Sequence, residues 1–335
     1  MLAQLDRTFV RLRPWKIWSR IVAYILFEGR PLTTRGRWIN PLVFAGHRLW
    51  GKLPVLRKNP DPIFILGTGR SGTTVLGTIL GLHPAVGYLN EPKALWQAAL
   101  GDDDLIGSFS AAPGRYRMGA ADADPGKVRK LRRSYNAFLR LSFSRQIVDK
   151  YPELIFRNGL LQAAFPHAKK IILIRSGNDT LHSIKNWSQN NGVDEHNFCV
   201  DWWGRDRRKW DLLLTQLVAK DPYFDTVIDD ITGLRDHADM AAIEWIVTMR
   251  EALRLNAEHP GKLLFIRYED LTGSPGKTLQ KISDFCGLKT DQKMQTYGKA
   301  VLRTRPAYTQ PSLHPAIQPL FDETMQLMDY ETVAH

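Results

Sequence analysis

The chain has 335 residues, 44% of them hydrophobic, which is enough apolar material to bury one large core or two modest ones. Its only cysteines, Cys199 and Cys286, have no C-x-x-C spacing and no histidine partners, which argues against a disulfide framework and against zinc and fits free thiols in a reducing compartment. The formal net charge is +12, and +10 of it lies in residues 1–60, so the basic balance says little about the remainder.

Residues 1–60 carry twelve Lys and Arg side chains against Asp6 and Glu28 and read as a basic arm ahead of a domain spanning 61–335. Leu2, Leu5, Phe9 and Leu12 share a helical face, and after Pro14 the stripe resumes at Trp18, Ile21 and Ile25. Interleaved with Trp15, Trp38 and Trp50, this pattern fits an amphipathic helix on an anionic membrane surface. The alternative is an arm packed on the domain with solvated arginines. Nucleic acid is disfavoured, because no docking motif is present. The apolar run Ile21–Phe27 is too short to span a bilayer, and charges interrupt any signal-peptide pattern. The expected location is cytoplasmic, at the membrane periphery.

The chain is organised around Pro62–Pro84, PIFILGTGRSGTTVLGTILGLHP. Ile63–Leu66 reads as a buried strand, and Val75, Leu76, Ile79, Leu80 and Leu82 fall at helical spacing. Between them lie Gly67, Thr68, Gly69, Arg70, Ser71, Gly72, Thr73 and Thr74. Strand, glycine loop and helix form a phosphate cradle, in which converging backbone N–H groups and the helix N-terminus hold an anion. The spacing follows G-x-x-x-x-G-K-[ST] except that Thr73 replaces the lysine, which a nucleoside triphosphatase needs beside its Mg²⁺ ion. The charge sits instead on Arg70, an arrangement suited to one phosphate and one further anionic group without a metal.

This stretch resembles the 5′-phosphosulfate loop of the sulfotransferases that use 3′-phosphoadenosine 5′-phosphosulfate (PAPS). The resemblance implies that Arg70, Gly72, Thr73 and Thr74 contact the 5′-phosphate and the sulfonate.

Val86–Leu89 is a second apolar run, followed by Asn90-Glu91-Pro92. A carboxylate just beyond a strand beside the phosphate loop lies at the rim where α/β sheets bind ligands. The resemblance implies that Glu91 is the base on the acceptor. The simpler reading is an acidic residue at the start of a helix over Lys93–Leu100. Gly101–Lys127 reads as a long loop, a candidate cover for the acceptor pocket. Val128–Lys150 has helical periodicity. Lys150-Tyr151-Pro152 resembles the family's K-x-P element, which implies that Lys150 stabilises charge as the sulfonate leaves; otherwise it is a lysine at a helix end.

Ile171–Ile174 is a buried-strand run ending on Arg175, with turn residues Ser176–Asp179 and a helix from about Thr180. In the family, an Arg and a Ser eight residues later hold the 3′-phosphate; Arg175 and Ser183 have that separation and Asp179 also matches, while Ser176-Gly177-Asn178 departs from the usual turn. A guanidinium suits bidentate phosphate contact. Asn186–Asn197 reads as a polar loop, and Trp203, Trp210, Leu213, Leu214 and Leu217 as a core stripe that leaves Trp202 aside. His167, His182 and His196 lack partners at useful spacing. After a helix at Ala241–Leu255 and a strand at Leu263–Ile266, Tyr268-Glu269-Asp270-Leu271 resembles a family element whose tyrosine lies near the nucleotide. A helix follows at Thr278–Cys286. The segment containing Arg303, Arg305, Pro306, Tyr308 and Pro311 is a candidate cover for the adenosine.

Strands alternating with helices predict a mostly parallel α/β sheet with ligands at the strand C-terminal ends. The resemblance implies a P-loop-like sulfotransferase that moves a sulfonate from PAPS to a hydroxyl or amine of a glycan, lipid or small-molecule acceptor. Glu91, Arg70 and Lys150 would be its catalytic groups. Gly67, Gly69, Arg70, Ser71, Gly72, Thr73, Thr74, Arg175, Ser183 and Tyr268 would bind the nucleotide, and no metal is expected. The rival readings are a P-loop kinase or NTPase, which lacks its lysine here, and a non-enzymatic membrane binder, which leaves both phosphate motifs without a purpose.

Overall fold

The computed structural model describes residues 2–55, 60–195, 198–304, 307–309 and 311–330. His196, Arg305 and Pro306, named above, lie outside them, as do Arg57 and Lys58 of the basic arm.

The strands are β1 (Ile63–Gly67), β2 (Val86–Asn90), β3 (Gln146–Lys150), β4 (Lys169–Ile174), β5 (Val193–Glu195), β6 (Phe198–Asp201), β7 (Gly204–Arg205) and β8 (Leu263–Arg267). Five of them form an all-parallel sheet in the order β2-β3-β1-β4-β8. Helices cover both faces, so the strands are apolar on both sides. Phe64 and Leu66 of β1 join a layer with Trp96 and Phe165. Ile63 and Ile65 join Leu76, Ile79 and Leu80 of helix Thr73–Gly81 on the other face. Each such side chain contributes roughly 1.5–3 kcal/mol on burial. The chain leaves β1 for the β2 edge and later returns to β4 on the opposite side, so the C-terminal end of β1 is the switch point at which such sheets bind ligands.

Two expectations are corrected. The Val128–Lys150 segment is not one helix. A helix runs over Pro125–Leu141, Phe143 takes a left-handed φ of +51°, and Gln146–Lys150 is a central strand. Lys150 is therefore at a strand end. Its neighbour Asp149 disguised the strand by adding a second charge, yet that carboxylate is buried and accepts from Trp96 Nε1 at 3.0 Å and from Tyr135. Asn186–Asn197 is not a loop either. The helix Gly177–Asn191, which begins three residues earlier than expected, runs through its first half, and β5 follows in an antiparallel β5-β6-β7 sheet. The long loop expected over 101–127 is present up to residue 124 and is tied down: Arg157 and Asp103 form a fully buried ion pair, and Asp104 accepts the N–H groups of Phe109 and Ser110.

The N-terminal residues lie along the outer edge of β2. Asp6 caps helix Arg7–Leu12 by accepting from Phe9 N, and helix Lys16–Leu26 runs beside the strand. Its buried face carries Lys16, Ser19, Arg20, Val22 and Ala23, while Trp18 and Ile25 of the expected apolar stripe are exposed. The inversion has a physical cause. An edge strand leaves backbone groups unpaired, and here Lys16 Nζ donates to Val86 O, Arg20 Nη1 donates to Tyr88 O, and Asn90 N donates to Glu28 Oε1. Arg20 also pairs with Glu28 at 2.8 Å. Burial pushes the Lys16 ammonium down to about 7, with Arg13 and Arg20 adding to the shift. Among the described residues no helix is long and apolar enough to cross a membrane.

Candidate active site

The phosphate loop follows from three tight approaches. At Gly67 (φ +137°) a Cβ would stand 2.4 Å from Leu173 O, so only glycine lets β1 pass β4 here. At Gly69 a Cβ would stand 2.4 Å from the Trp202 ring, and at Gly72 (φ +94°) 2.4 Å from the Tyr268 ring. Ser71 Oγ is buried and donates to Thr68 O at 2.7 Å, so its hydroxyl closes the loop and does not face the cleft. Gly72 caps helix Thr73–Gly81, whose first N–H groups have no intrahelical acceptor and whose dipole favours an anion.

Two guanidiniums converge beside this loop. Arg70, itself left-handed at φ +69°, donates through Nε to Ser183 Oγ at 3.1 Å. Arg175 leaves β4, donates to Arg70 O at 3.2 Å and to Asp179 Oδ2 at 2.9 Å, and lies over the Tyr268 ring at 4.6 Å. Burial pushes Arg70 below its ordinary value; Glu91 opposes this and Arg175 reinforces it. Arg175 Nε is buried and has no partner among the described residues. Asp179 also accepts from Tyr308 N, and Tyr308 stacks on His182 with ring centroids 3.7 Å apart.

Glu91 follows β2 with φ +47°, and its N–H donates to Lys150 O at 2.7 Å, which locks the end of β2 to the end of β3. Lys150 Nζ donates to Glu91 Oε1 at 2.5 Å, and Lys93 Nζ lies 3.4 Å from Oε2. Lys150 is 1% exposed and Glu91 39%, so the ammonium is the floor and the carboxylate faces the cleft. Burial raises the Glu91 carboxyl, but Lys150 and Lys93 outweigh it and hold the group well below the usual carboxylate range. Glu153, 3.5 Å from Lys93, is likewise pushed up by burial and pulled down further by Lys93 and Lys209.

Gly69, Arg70, Gly72, Thr73, Thr74, Glu91, Arg175, Ser183 and Tyr268 line one open cleft, and Lys150 reaches it through Glu91. Gly67 and Ser71 shape it from behind. A second cavity adjoins it, bounded by Pro31–Thr33, Lys93, Ile106, Glu153, Asp201 and Lys209. Gly69, Glu91, Trp187 and Trp202 border both. Sequence reasoning missed Trp187, Lys93, Glu153 and Lys209, and left Trp202 unassigned. The adjacent pair Trp202-Trp203 was the available signal: only Trp203 fits the core stripe, which leaves its neighbour facing elsewhere. Of the histidines, His182 borders the cleft region through Tyr308, and the His167 N–H is bound to Asp61 at the other end of the sheet.

Residues 62–226 match the family model described as Sulfotransferase family. A curated relative from Aquifex aeolicus (strain VF5), described as an uncharacterized protein, is 26% identical over 254 residues, 71% of this chain. The chain spans about a quarter, 27%, of that relative's length. Among solved structures, the sulfotransferase domain from the curacin biosynthetic pathway is 16% identical with a TM-score of 0.49, covering 82% of this chain and 100% of its own. Sulfotransferase STF1 from Mycobacterium tuberculosis H37Rv is 16% identical with a TM-score of 0.48, covering 96% and 93%. Mouse sulfotransferase SULT7A1, solved complexed with PAP, is 14% identical with a TM-score of 0.41, covering 84% and 90%. The matched residues 62–226 hold the glycine loop, Glu91, Lys150, Arg175 and Ser183, so the stretch that carries the candidate site is similar to the sulfotransferase family.

Proposed function

We propose that the protein transfers a sulfonate from PAPS to a hydroxyl or amine of an acceptor. The observation that carries this reading is the meeting of Arg70, Arg175 and Ser183 beside the glycine loop, in the cleft that also holds the Glu91–Lys150 pair. The residues fit such a donor: Arg175 pairs with Asp179 at 2.9 Å, Arg70 forms no close ion pair among the described residues, and one buried guanidinium N–H of Arg175 is left for a ligand. The loop amides and the N-terminus of helix Thr73–Gly81 would hold the 5′-phosphate. Arg175 and Ser183 would hold the 3′-phosphate, with Tyr268 beside the nucleotide. The donor supplies an activated sulfonate on a phosphate leaving group. Arg70 and Lys150 would stabilise negative charge that develops there. Glu91 would accept the acceptor's proton, and the second cavity, which borders Glu91, would seat the acceptor.

The test concerns the 3′-phosphate, which AMP lacks. A charge-assisted contact contributes about 1.5–3 kcal/mol. Adenosine 3′,5′-bisphosphate should therefore bind at least roughly tenfold more tightly than AMP, since 1.4 kcal/mol is one decade. Arg175→Ala should remove most of that preference while changing AMP affinity little. Calorimetry with both nucleotides decides it: equal affinities in the wild type would end the PAPS reading.

A further inference from the structure

The exposed large apolar side chains are concentrated in the N-terminal residues. Trp15, Trp18, Ile25, Trp38, Leu42 and Leu49 are all at least 46% exposed, with Trp38 at 78% and Leu42 at 68%. Their positions follow helical faces. Trp18 and Ile25 are seven residues apart on helix Lys16–Leu26, and Leu42 and Leu49 are seven apart on helix Asn40–Trp50, so each pair shares one face. The two helices are neighbours: Phe27, just past the first, packs on His47 and Trp50 of the second, with ring centroids 5.6 and 6.2 Å apart. Trp18 Nε1 donates to Leu141 O at 2.7 Å, which brings the same surface to Phe143, 79% exposed.

Charge on this segment is one-sided. Among the described residues of 2–55, Arg7, Arg11, Arg35, Arg37, Arg48 and Lys52 are exposed. The segment's two carboxylates are not: Asp6 accepts from Phe9 N and from Tyr297 OH, and Glu28 is buried against Arg20 and Asn90. Apart from the Trp18 indole bond to Leu141, helix Lys16–Leu26 is anchored by its opposite, cationic face. Indoles and leucines standing among cations with no exposed carboxylate complement an anionic lipid surface, with the rings at headgroup level and the arginines on the phosphates.

We propose that this face docks on an anionic lipid bilayer. Pro31–Thr33, between the two helices, line the acceptor-side cavity, so docking places the rim of that cavity next to the lipid surface. This last step rests on the sulfonate-transfer reading; the docking itself does not.

The experiment is co-sedimentation of the full chain with vesicles of phosphatidylcholine alone and of phosphatidylcholine with phosphatidylglycerol at about three to one, alongside tryptophan emission. Binding and a blue shift are expected only with the anionic vesicles, and both should weaken as salt rises. The triple variant Trp38→Ser, Leu42→Ser, Leu49→Ser should lower vesicle affinity at least roughly tenfold. Its adenosine 3′,5′-bisphosphate affinity, unchanged from wild type, serves as the check on folding. Absence of binding, equal binding to both vesicle types, or wild-type binding by the triple variant would overturn the proposal. So would light scattering that shows a wild-type dimer dissolved by the triple variant in the absence of vesicle binding, since the face would then belong to a second copy. None of these outcomes bears on the nucleotide preference tested with Arg175→Ala.

Discussion

Glu91 lies between two ammonium groups, and that placement shapes what it can do. Burial alone would favour the protonated carboxyl, but Lys150 and Lys93 reverse the balance and keep it ionised. A group whose folded value is depressed adds stability above its unfolded value and loses it only as pH falls through the folded one. For Glu91 that window lies in strongly acidic solution, so its carboxylate stays ionised throughout the neutral range. Acting as the proposed base, it needs Lys150 to turn from the carboxylate toward charge developing near the loop. Glu91→Gln keeps the shape and removes the proton acceptor. Turnover should fall by about 10² to 10⁴ with nucleotide affinity retained. The pH profile of kcat/KM between pH 5 and 8 should keep its shape and lose only height; disappearance of an acid limb in the variant would show that Glu91 titrates there. At this scale the candidate site was legible where a residue type and a spacing coincide, as at Arg70, Glu91, Lys150, Arg175 and Ser183. Lys93 was not legible, because two residues past Glu91 it reads as an ordinary helix start and only the turn at Glu91 brings its Nζ back.

Elements were legible where apolar periodicity was undiluted, as in β1, β2, β4, β8 and the helix Lys93–Leu100. They were misread where charge was buried and paired, because pattern reasoning treats charge as a mark of solvent. β3 hid behind Asp149 and Lys150, both buried. Helix Lys16–Leu26 presented its faces reversed for the same reason: Lys16 and Arg20 look outward on a helical projection, yet they bond the free edge of β2. This has an energetic consequence. Arg20 is 1% exposed, pairs with Glu28 and donates to Tyr88 O and Ala3 O. Arg20→Leu leaves a buried carboxylate and edge carbonyls without partners. The expected loss is about 3–5 kcal/mol, the usual result of removing one member of a buried pair, read as a lower urea midpoint with unchanged slope. A loss below about 0.5 kcal/mol would mean that water replaces the guanidinium and that the helix does not seal the edge.

Across the whole molecule, the phosphate loop is held by contacts from sequence-distant elements, and one of them joins the two sheets. Trp202 sits on the turn between β6 and β7. Its Nε1 donates to Glu244 on helix His237–Glu258 at 2.6 Å, Lys209 lies 4.3 Å from its ring centroid, and the ring covers Gly69. The small antiparallel sheet thus sets the wall shared by the cleft at the glycine loop and the second cavity. No local pattern announces such a role, because it depends on where a short hairpin lands on a loop more than a hundred residues earlier. The arrangement predicts coupling between two positions that ordinary site reasoning would treat separately. Gly69→Ala adds a Cβ that would stand 2.4 Å from the Trp202 ring, so the ring must move and the shared wall with it. Trp202→Ala removes the wall outright and leaves Glu244 without its indole donor. Each single change should lower kcat/KM for the acceptor by at least roughly tenfold. In the double variant the added methyl group meets no ring, so the two costs should not add; contacting residues typically couple by about 0.5–3 kcal/mol. A double-mutant cycle on kcat/KM measures this directly. Costs that add within about 0.3–0.5 kcal/mol would mean that Gly69 is needed for its own backbone conformation, and that Trp202 acts on the acceptor without passing through the phosphate loop.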